Sequence, residues 1–246
     1  MPVEFRADLH IHTCLSPCAE LSMTPRAIVE RAASLGVNVI AVCDHNSVEN
    51  SAVTQYLAKE KGITVVPGIE ITSREEVHIL GLFGDMKGAE DMQAMVYDSL
   101  QPGENDEEKF GMQVVANEDD EVMGFNRRLL IGATGLTVNR VVDLIHGFGG
   151  LAVASHIDRE GFGIIGQLGF IPSDIEFDAL EISPRITVAE AMKTFSDYRH
   201  IPWITSSDAH AIEDVGRRTT GLLMYHSTFG EFRLALKGIE GRGVVL

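Results

Sequence analysis

Short apolar runs of strand length alternate with segments of helical periodicity along most of the chain. The runs are rich in β-branched residues, which favours buried strands, and the periodic segments between them favour amphipathic helices. The predicted strands are a run that begins at Val3 and residues 37–42, 63–70, 77–83, 151–154, 177–182, 202–205, 221–224 and 244–246. The predicted helices are residues 24–36, 51–61, 89–100, 137–148, 188–199 and 228–237.

The first helix has recognisable ends in the sequence, because Thr24 suits the N-cap, Pro25 suits the first turn and Gly36 suits a left-handed C-terminal residue. Strands that alternate with helices form βαβ units, in which the sheet is parallel. The sequence therefore predicts an α/β fold with a parallel sheet. A single domain over residues 1–246 is expected, because α/β barrels of this length commonly form one domain.

Residues 85–136 interrupt the alternation. The part from Pro102 to Asp120 is polar and acidic, and a hairpin is predicted around residues 112–123. We expect an acidic insertion over one rim of the fold, either as a solvated excursion or as a lid or specificity element. Arg127 and Arg128 are its paired cations and could meet a phosphate.

The composition limits the classes of partner. The formal net charge of −16 would repel a polyanion, so we expect no stable binding of duplex nucleic acid, and a small or terminal phosphate fits better. No apolar run approaches the roughly 18 residues of a membrane span, and the N-terminus lacks a signal-peptide pattern. The three cysteines are too few for a disulfide framework. We expect a cytoplasmic protein with reduced thiols and no membrane partner.

Ligand-type side chains gather at the ends of the predicted strands. Alternate side chains of a strand share a face, so His10 and His12 point the same way. The C-terminal strand ends of an α/β barrel form the face where sites assemble. His78 lies early in its own predicted strand, and the residues expected to meet at this face are His10, His12, His45, Glu70, His156, Asp208 and His210.

These motifs resemble those of the PHP domain family, the polymerase and histidinol phosphatase superfamily. The matching stretches are His10-Ile11-His12-Thr13, Asp44-His45-Asn46, Gly68-Ile69-Glu70, His78, His156 and Ser207-Asp208-Ala209-His210. The resemblance implies a distorted (β/α)7 TIM-like barrel with a trinuclear metal centre that hydrolyses phosphoesters. Residues 15–18 and 206–218 resemble most a stand-alone, uncharacterised bacterial branch.

The resemblance also implies a ligand set for two or three divalent ions, with Mn, Zn or Fe as candidates. His10, His12, Glu70 and Asp208 would hold the first metal. Glu70 would bridge to a second metal held by His78 and His156, and His45 and His210 would hold a third.

The third metal is where this chain departs from the family. The first loop usually supplies another His or Asp, and the candidates here are Cys18 and Glu20. A thiolate would favour a zinc-like ion, whereas carboxylate and imidazole suit Mn, Fe or Zn. The alternative is that Cys18 is a small buried hydrophobic residue.

Asp44 and His45 are neighbours on a strand and so face opposite ways unless the strand has ended. We prefer His45 as the ligand and Asp44 as a residue that orients an imidazole or a water. The predicted catalytic residues are Asp208, His210, Glu70 and Asp44.

Phosphate oxygens that are not on metals favour a bidentate cation, which arginine supplies. Arg159 is the first candidate because it follows His156 by three residues. Arg185, Arg217 and Arg218 come next, and each arginine has the alternative of being an ordinary surface or salt-bridged residue.

Three functions are open at this point. The first is a metal-dependent phosphoesterase that hydrolyses small phosphate monoesters, such as nucleotides, with a metal-activated water. The second is a nuclease, or a nucleoside 3′,5′-bisphosphate phosphatase, that acts at terminal phosphates of nucleotides or short oligonucleotides. The third is a non-catalytic, metal-binding regulatory barrel, against which the nearly complete ligand set argues.

Overall fold

The computed structural model describes residues 1–246. Its strands are β1 (Val3–Ile11), β2 (Val39–Val42), β3 (Thr64–Thr72), β4 (His78–Leu82), β5 (Val114–Ala116), β6 (Val122–Phe125), β7 (Leu151–Ala154), β8 (Ala179–Ile182), β9 (Trp203–Thr205), β10 (Thr220–Met224) and β11 (Gly243–Val245). Its α-helices are α1 (Pro25–Ser34), α2 (Ser51–Ala58), α3 (Met86–Ser99), α4 (Glu107–Phe110), α5 (Val138–Gly147), α6 (Ile164–Leu168), α7 (Val188–Thr194) and α8 (Phe229–Leu236).

Nine strands form one sheet, in the order β11-β10-β1-β2-β3-β4-β7-β8-β9. The sheet curls back on itself, because Ala209, just after β9, makes a parallel bridge with Ile11 of β1. The backbone N–H of His12 also donates to the carbonyl of Ala209 at 3.0 Å. The predicted α/β barrel-like fold is confirmed, as a nearly closed sheet.

The prediction of a parallel sheet is wrong for part of the barrel. β4 runs antiparallel to both β3 and β7, and β10 runs antiparallel to β1. Residues 73–77 are all that joins β3 to β4. A parallel crossover needs a dozen or more residues, so this short link permits only a hairpin. Because β10 and β11 also extend the sheet beyond β1, the strand count differs from a regular (β/α)7 repeat.

The largest hydrophobic cluster lies where α3 and α5 pack on the barrel strands. It includes Ile79 of β4, Met92 of α3 and Ile145 of α5. Phe83 belongs to the same cluster and is one of the largest fully buried side chains of the protein. A second cluster joins residues of β1, β2 and β7 to Phe232 of α8. None of the helices is long and apolar enough to cross a membrane.

The segment 85–136, predicted as an insertion, starts with a core element. Ala89, Met92 and Val96 of α3 are buried, so this helix packs into the fold. The hairpin of β5 and β6 follows about two residues later than predicted. Asn50 fixes it to the rim, because its Nδ2 donates to the carbonyl of Val114 at 3.0 Å and to Thr13 Oγ1 at 2.9 Å.

The Phe83→Ala variant should unfold more easily than the unaltered protein. Phe83 is 1% exposed, and its truncation would leave a cavity in the largest cluster. We expect a loss of about 3–5 kcal/mol in the free energy of unfolding, measured by urea denaturation. Phe170→Ala, at a phenylalanine that is 57% exposed, should stay within about 0.5 kcal/mol. Equal losses in the two variants would contradict this packing.

Candidate metal centre

The strand ends bring most of the predicted ligand residues to one end of the barrel. Three groups have ligand atoms that all lie within 4.8 Å of one another. These groups are His10, His12 and Asp208; His45, Glu70 and His78; and His12, His45 and His210. His156 joins them, because its Nε2 lies 3.2 Å from Oε1 of Glu70. The groups share members, so they form one continuous cluster.

His78 reaches the cluster because its strand is reversed. It is the first residue of β4, and in the antiparallel register it pairs with Thr72 at the C-terminal end of β3. The start of β4 therefore lies at the same barrel end as the C-termini of the parallel strands. This explains how a residue placed early in its strand joins residues placed late in theirs.

Glu70 lies at the centre of the cluster and is 1% exposed. Its Oε1 is 2.9 Å from Nδ1 of His78 and 3.2 Å from Nε2 of His156. Its Oε2 is 3.1 Å from Nδ1 of His45 and 3.4 Å from Nε2 of His12. A carboxylate whose two oxygens face different sets of imidazoles has the arrangement of a bridging ligand.

His10 and His12 present the same ring nitrogen to the cluster, with their Nε2 atoms 3.1 Å apart. Oδ1 of Asp208 lies 3.4 Å from Nε2 of His10 and 3.3 Å from Nε2 of His12. Two imidazole nitrogens and a carboxylate oxygen thus point at one small volume. These are three of the four residues, with Glu70 the fourth, to which the family resemblance assigns the first metal.

Glu181 is a site residue that the sequence reasoning missed. Its carboxylate lies 3.0 Å from Nδ1 of His10 and accepts the backbone N–H of His156 at 3.1 Å. A carboxylate that holds the second nitrogen of an imidazole fixes the tautomer and orientation of a metal ligand. The signal available in the sequence was that Glu181 is a charged residue inside the apolar run of β8. In the structure its side chain is 1% exposed.

Asp44 acts on the cluster through Ser16. Its Oδ1 accepts the Ser16 hydroxyl at 2.7 Å, and the Ser16 oxygen lies 2.9 Å from Nδ1 of His12. Both Asp44 oxygens are also bonded to Thr13. Asp44 belongs to none of the ligand groups, so in this geometry it orients His12, whereas His45 faces Glu70.

Backbone conformation is unusual around this end of the barrel. Asn46, His156, Phe162 and Asp208 all have positive φ values, of 52°, 29°, 63° and 50°. Residues other than glycine rarely adopt this region of backbone conformation, and such backbone strain tends to occur at functional sites. The chain therefore departs from favourable backbone geometry where it places two of the ligand residues, His156 and Asp208.

The carboxylates of the cluster are ionised despite their burial. Burial opposes the charge on Glu70, but His78 and His10 hold its pKa well below the usual range. Burial likewise opposes the charge on Asp208, and His10 and His12 lower its pKa well below the ordinary value.

The pKa values of three imidazoles of the cluster, His12, His45 and His10, are shifted in two directions. Burial, followed by the charge of His210, lowers the pKa of His12 to about 4, and burial lowers the pKa of His45 well below its ordinary value. Burial acts in the same direction on His10, but Glu181 and Asp208 raise its pKa well above the usual range. The cluster thus combines neutral imidazoles with an environment that favours positive charge.

The donor set fits divalent metal ions. Nδ1 of His156 and Nδ1 of His45 are buried and make no hydrogen bond in acceptable geometry. Neutral imidazoles and ionised carboxylates are the forms that bind a metal. The mixture of imidazole and carboxylate suits Mn, Fe or Zn.

Cys18 and Glu20 lie outside the ligand groups. Cys18 is exposed, so its alternative interpretation as a small buried hydrophobic residue is wrong. Glu20 is also exposed, and its carboxylate accepts the Ser22 hydroxyl at 3.0 Å. The group of His12, His45 and His210 is therefore formed by imidazoles alone.

Of the four candidate arginines, Arg159 is the one that contacts the cluster, through an ion pair with Oδ2 of Asp208. Arg185 is exposed. Arg217 pairs with Asp214 at 3.1 Å, and Arg218 donates to the carbonyl of Ile186 at 3.3 Å. Arg159 is the best-placed of these guanidinium groups for a bound phosphate.

The Glu181→Gln variant should weaken metal binding without unfolding the protein. The amide keeps the size of the side chain but removes the negative charge that faces Nδ1 of His10. Loss of such a partner typically lowers metal affinity, and we expect a decrease of about 10- to 100-fold in this variant. Competition with a chelator measures the affinity, with Glu60→Gln at an exposed site as the matched control. Unchanged affinity in Glu181→Gln would contradict the orienting role.

A family model described as the PHP domain matches residues 8–159. Among curated proteins, a 5′-3′ exoribonuclease of Haemophilus influenzae is 38% identical over 78 residues, which are 30% of this chain and 27% of the relative. A 3′,5′-nucleoside bisphosphate phosphatase of Chromobacterium violaceum is 33% identical over 78 residues, 30% of this chain and 26% of the relative. The chain thus spans about a quarter of the length of these two relatives.

Solved structures share the fold along nearly the whole chain. A lesion-specific endonuclease from Pyrococcus furiosus has a TM-score of 0.74 at 19% identity, covering 99% of this chain and 58% of that one. A complex of endonuclease Q with a 27-mer duplex substrate has the same TM-score of 0.74 at 18% identity, with coverage of 98% and 58%. These likenesses support the barrel fold.

Proposed function

The chain belongs to the PHP domain family, and we propose that it uses this cluster of ligand residues to hydrolyse small phosphate monoesters. The observation that carries the proposal is the continuity of the ligand groups: His12 and His45 each belong to two groups, and both lie within 3.4 Å of Glu70. Two or three divalent ions, of Mn, Zn or Fe, are the cofactors we propose. Bound there, they would supply Lewis acidity towards water and phosphate oxygens.

Arg159 would bind the phosphate of the substrate. Its guanidinium group reaches Asp208 at the edge of the cluster and is 22% exposed, so it is accessible from solvent. A guanidinium group can offer two parallel N–H donors to phosphate oxygens. Arg159 would thereby orient the ester and offset its charge in a chain whose net charge is −16.

His210 would exchange a proton with the leaving oxygen. Its side chain is 32% exposed, which makes it the most accessible imidazole of the cluster. Its Nδ1 lies 2.8 Å from the backbone carbonyl of Asp208 and donates to it, which leaves Nε2 available to the substrate or to a third metal. The same residue can therefore complete the third ligand group or assist departure of the alcohol.

Action at the terminal phosphate of a nucleotide or short oligonucleotide is the second candidate. Relatives that match 30% of this chain are named as an exoribonuclease and a nucleoside bisphosphate phosphatase. The duplex substrate is a property of the longer endonuclease Q, of which this chain covers 58%. The acidic charge favours a short substrate over a duplex here. The continuous ligand groups argue against a non-catalytic barrel.

Phosphate release from a panel of substrates tests the proposal. The panel contains simple phosphate monoesters, nucleoside 3′,5′-bisphosphates and 5′-phosphorylated oligonucleotides, each with Mn, Zn or Fe. We expect release that Asp208→Asn reduces by at least about 100-fold, as is typical when a group that stabilises the transition state is removed. Asp178→Asn is the matched control, because Asp178 bonds His146 outside the ligand groups.

The preferred substrate separates the two candidate functions. Faster release from simple monoesters favours the phosphatase, and faster release from oligonucleotides favours the nuclease. A metal-loaded protein that releases phosphate from none of them would contradict both.

A further inference from the structure

Phe162 is an exposed aromatic residue beside the cluster that the proposed chemistry does not use. It lies in the loop between β7 and α6, six residues after His156. The side chain is 44% exposed, and the backbone has a φ of 63°. An aromatic residue in the left-handed region is uncommon.

The ring of Phe162 lies on the imidazole of His78. The ring centroids are 4.4 Å apart and the planes differ by 19°, so the two rings are stacked. The carbonyl of Phe162 also accepts the backbone N–H of His78 at 2.9 Å. Since Nδ1 of His78 is 2.9 Å from Oε1 of Glu70, the phenyl ring lies directly against a ligand residue of the cluster.

The loop is held in this conformation by contacts along its length. Both oxygens of Asp158 accept hydrogen bonds from Ser183, at 2.8 Å from the backbone N–H and 2.6 Å from the hydroxyl. A side chain at Gly163 would come within 2.9 Å of the carbonyl of His156, so the chain turns tightly there. The ring of Phe162 is therefore positioned before any ligand arrives, which favours binding.

The phenyl ring remains partly accessible beside His78. His78 covers one face of the ring, and the residue as a whole is 44% exposed to solvent. The same loop carries Arg159, which contacts Asp208. The loop thus offers a guanidinium group for a phosphate and a partly exposed aromatic ring for a flat group attached to that phosphate.

We propose that Phe162 is a stacking platform for a nucleobase, which makes nucleotides the preferred substrates of this site. The inference rests on the proposed phosphoesterase function and narrows its substrate class. Bases stack on aromatic side chains whatever their sequence, because every base has a π-face. A free nucleotide and the terminal nucleotide of a strand share this chemistry.

Steady-state kinetics with a matched pair of substrates tests the proposal. Adenosine 5′-phosphate carries a base, and ribose 5-phosphate is the same ester without it. Phe162→Ala should raise KM for the nucleotide roughly 5- to 100-fold, the range expected for loss of one stacked base, and leave KM for ribose 5-phosphate within about twofold. Phe162→Trp should retain the preference, and Phe162→Leu, which is apolar without a ring, should lose it.

Phe170→Ala is the control variant, because Phe170 is 57% exposed and stacks on none of the site histidines. It should leave both KM values unchanged. Equal losses on both substrates in Phe162→Ala would overturn the proposal in favour of a role in supporting His78. Hydrolysis of ribose 5-phosphate with no nucleotide preference in the unaltered protein would overturn it and leave the phosphoesterase function standing.

A binding experiment decides the question without turnover. The fluorescence of 2-aminopurine riboside 5′-phosphate should be quenched on binding to the unaltered protein and to Phe162→Trp, and much less with Phe162→Ala. No quenching with the unaltered protein would overturn the proposal, even if no phosphate ester were hydrolysed. A 5′-phosphorylated oligonucleotide with 2-aminopurine at its first position separates a strand terminus from a free nucleotide as the source of the base.

Discussion

The site depends on a carboxylate that is buried among imidazoles. Glu70 is 1% exposed, and burial of an unpaired charge in a protein interior is strongly unfavourable. His78 and His10 offset the cost of burying its charge, and its oxygens lie within 3.4 Å of the rings of both residues and of His156, His45 and His12. The same arrangement satisfies the charge and defines the positions at which cations would bind. The remaining geometry of the barrel end follows from the need to bring these groups together.

The reversed direction of β4 and the hydrogen bonds of Glu181 bring these groups together. The hairpin from β3 to β4 returns the chain immediately, so that His78 faces the cluster from a neighbouring strand. Glu181 holds His10 and the backbone of His156, which serve different parts of the cluster. Because one buried carboxylate contacts both the His10 ring and the His156 backbone, the positions of these two residues are coupled to each other.

The sequence was sufficient to place the principal ligand residues at one end of an α/β barrel. His10 and His12 follow from the two-residue period of a strand, and Asp208 and His210 from the position of a strand end. The direction of β4 could not be read from apolar runs, because periodicity carries no information about strand orientation. The short link at 73–77 was the usable signal.

Residues that act through others were harder to find. Ser16 and Glu181 have roles that exist only once distant parts of the chain are packed together, since Ser16 links His12 to Asp44 and Glu181 contacts His10. Phe162 belongs to no sequence motif, and its stacking on His78 depends on the path of the loop between β7 and α6. Cys18 matched a ligand position in the sequence, but the first loop places it in an exposed position outside the ligand groups.

The number of metal ions bound to the unaltered protein and to Glu70→Gln tests whether Glu70 organises a centre of several metals. Elemental analysis after purification and reloading with Mn, Zn or Fe gives this number for each chain. We expect two or three ions in the unaltered protein and the loss of at least one in Glu70→Gln, because the amide cannot bridge two cations as a carboxylate does. Full metal content together with full phosphate release in Glu70→Gln would contradict a centre organised around this residue.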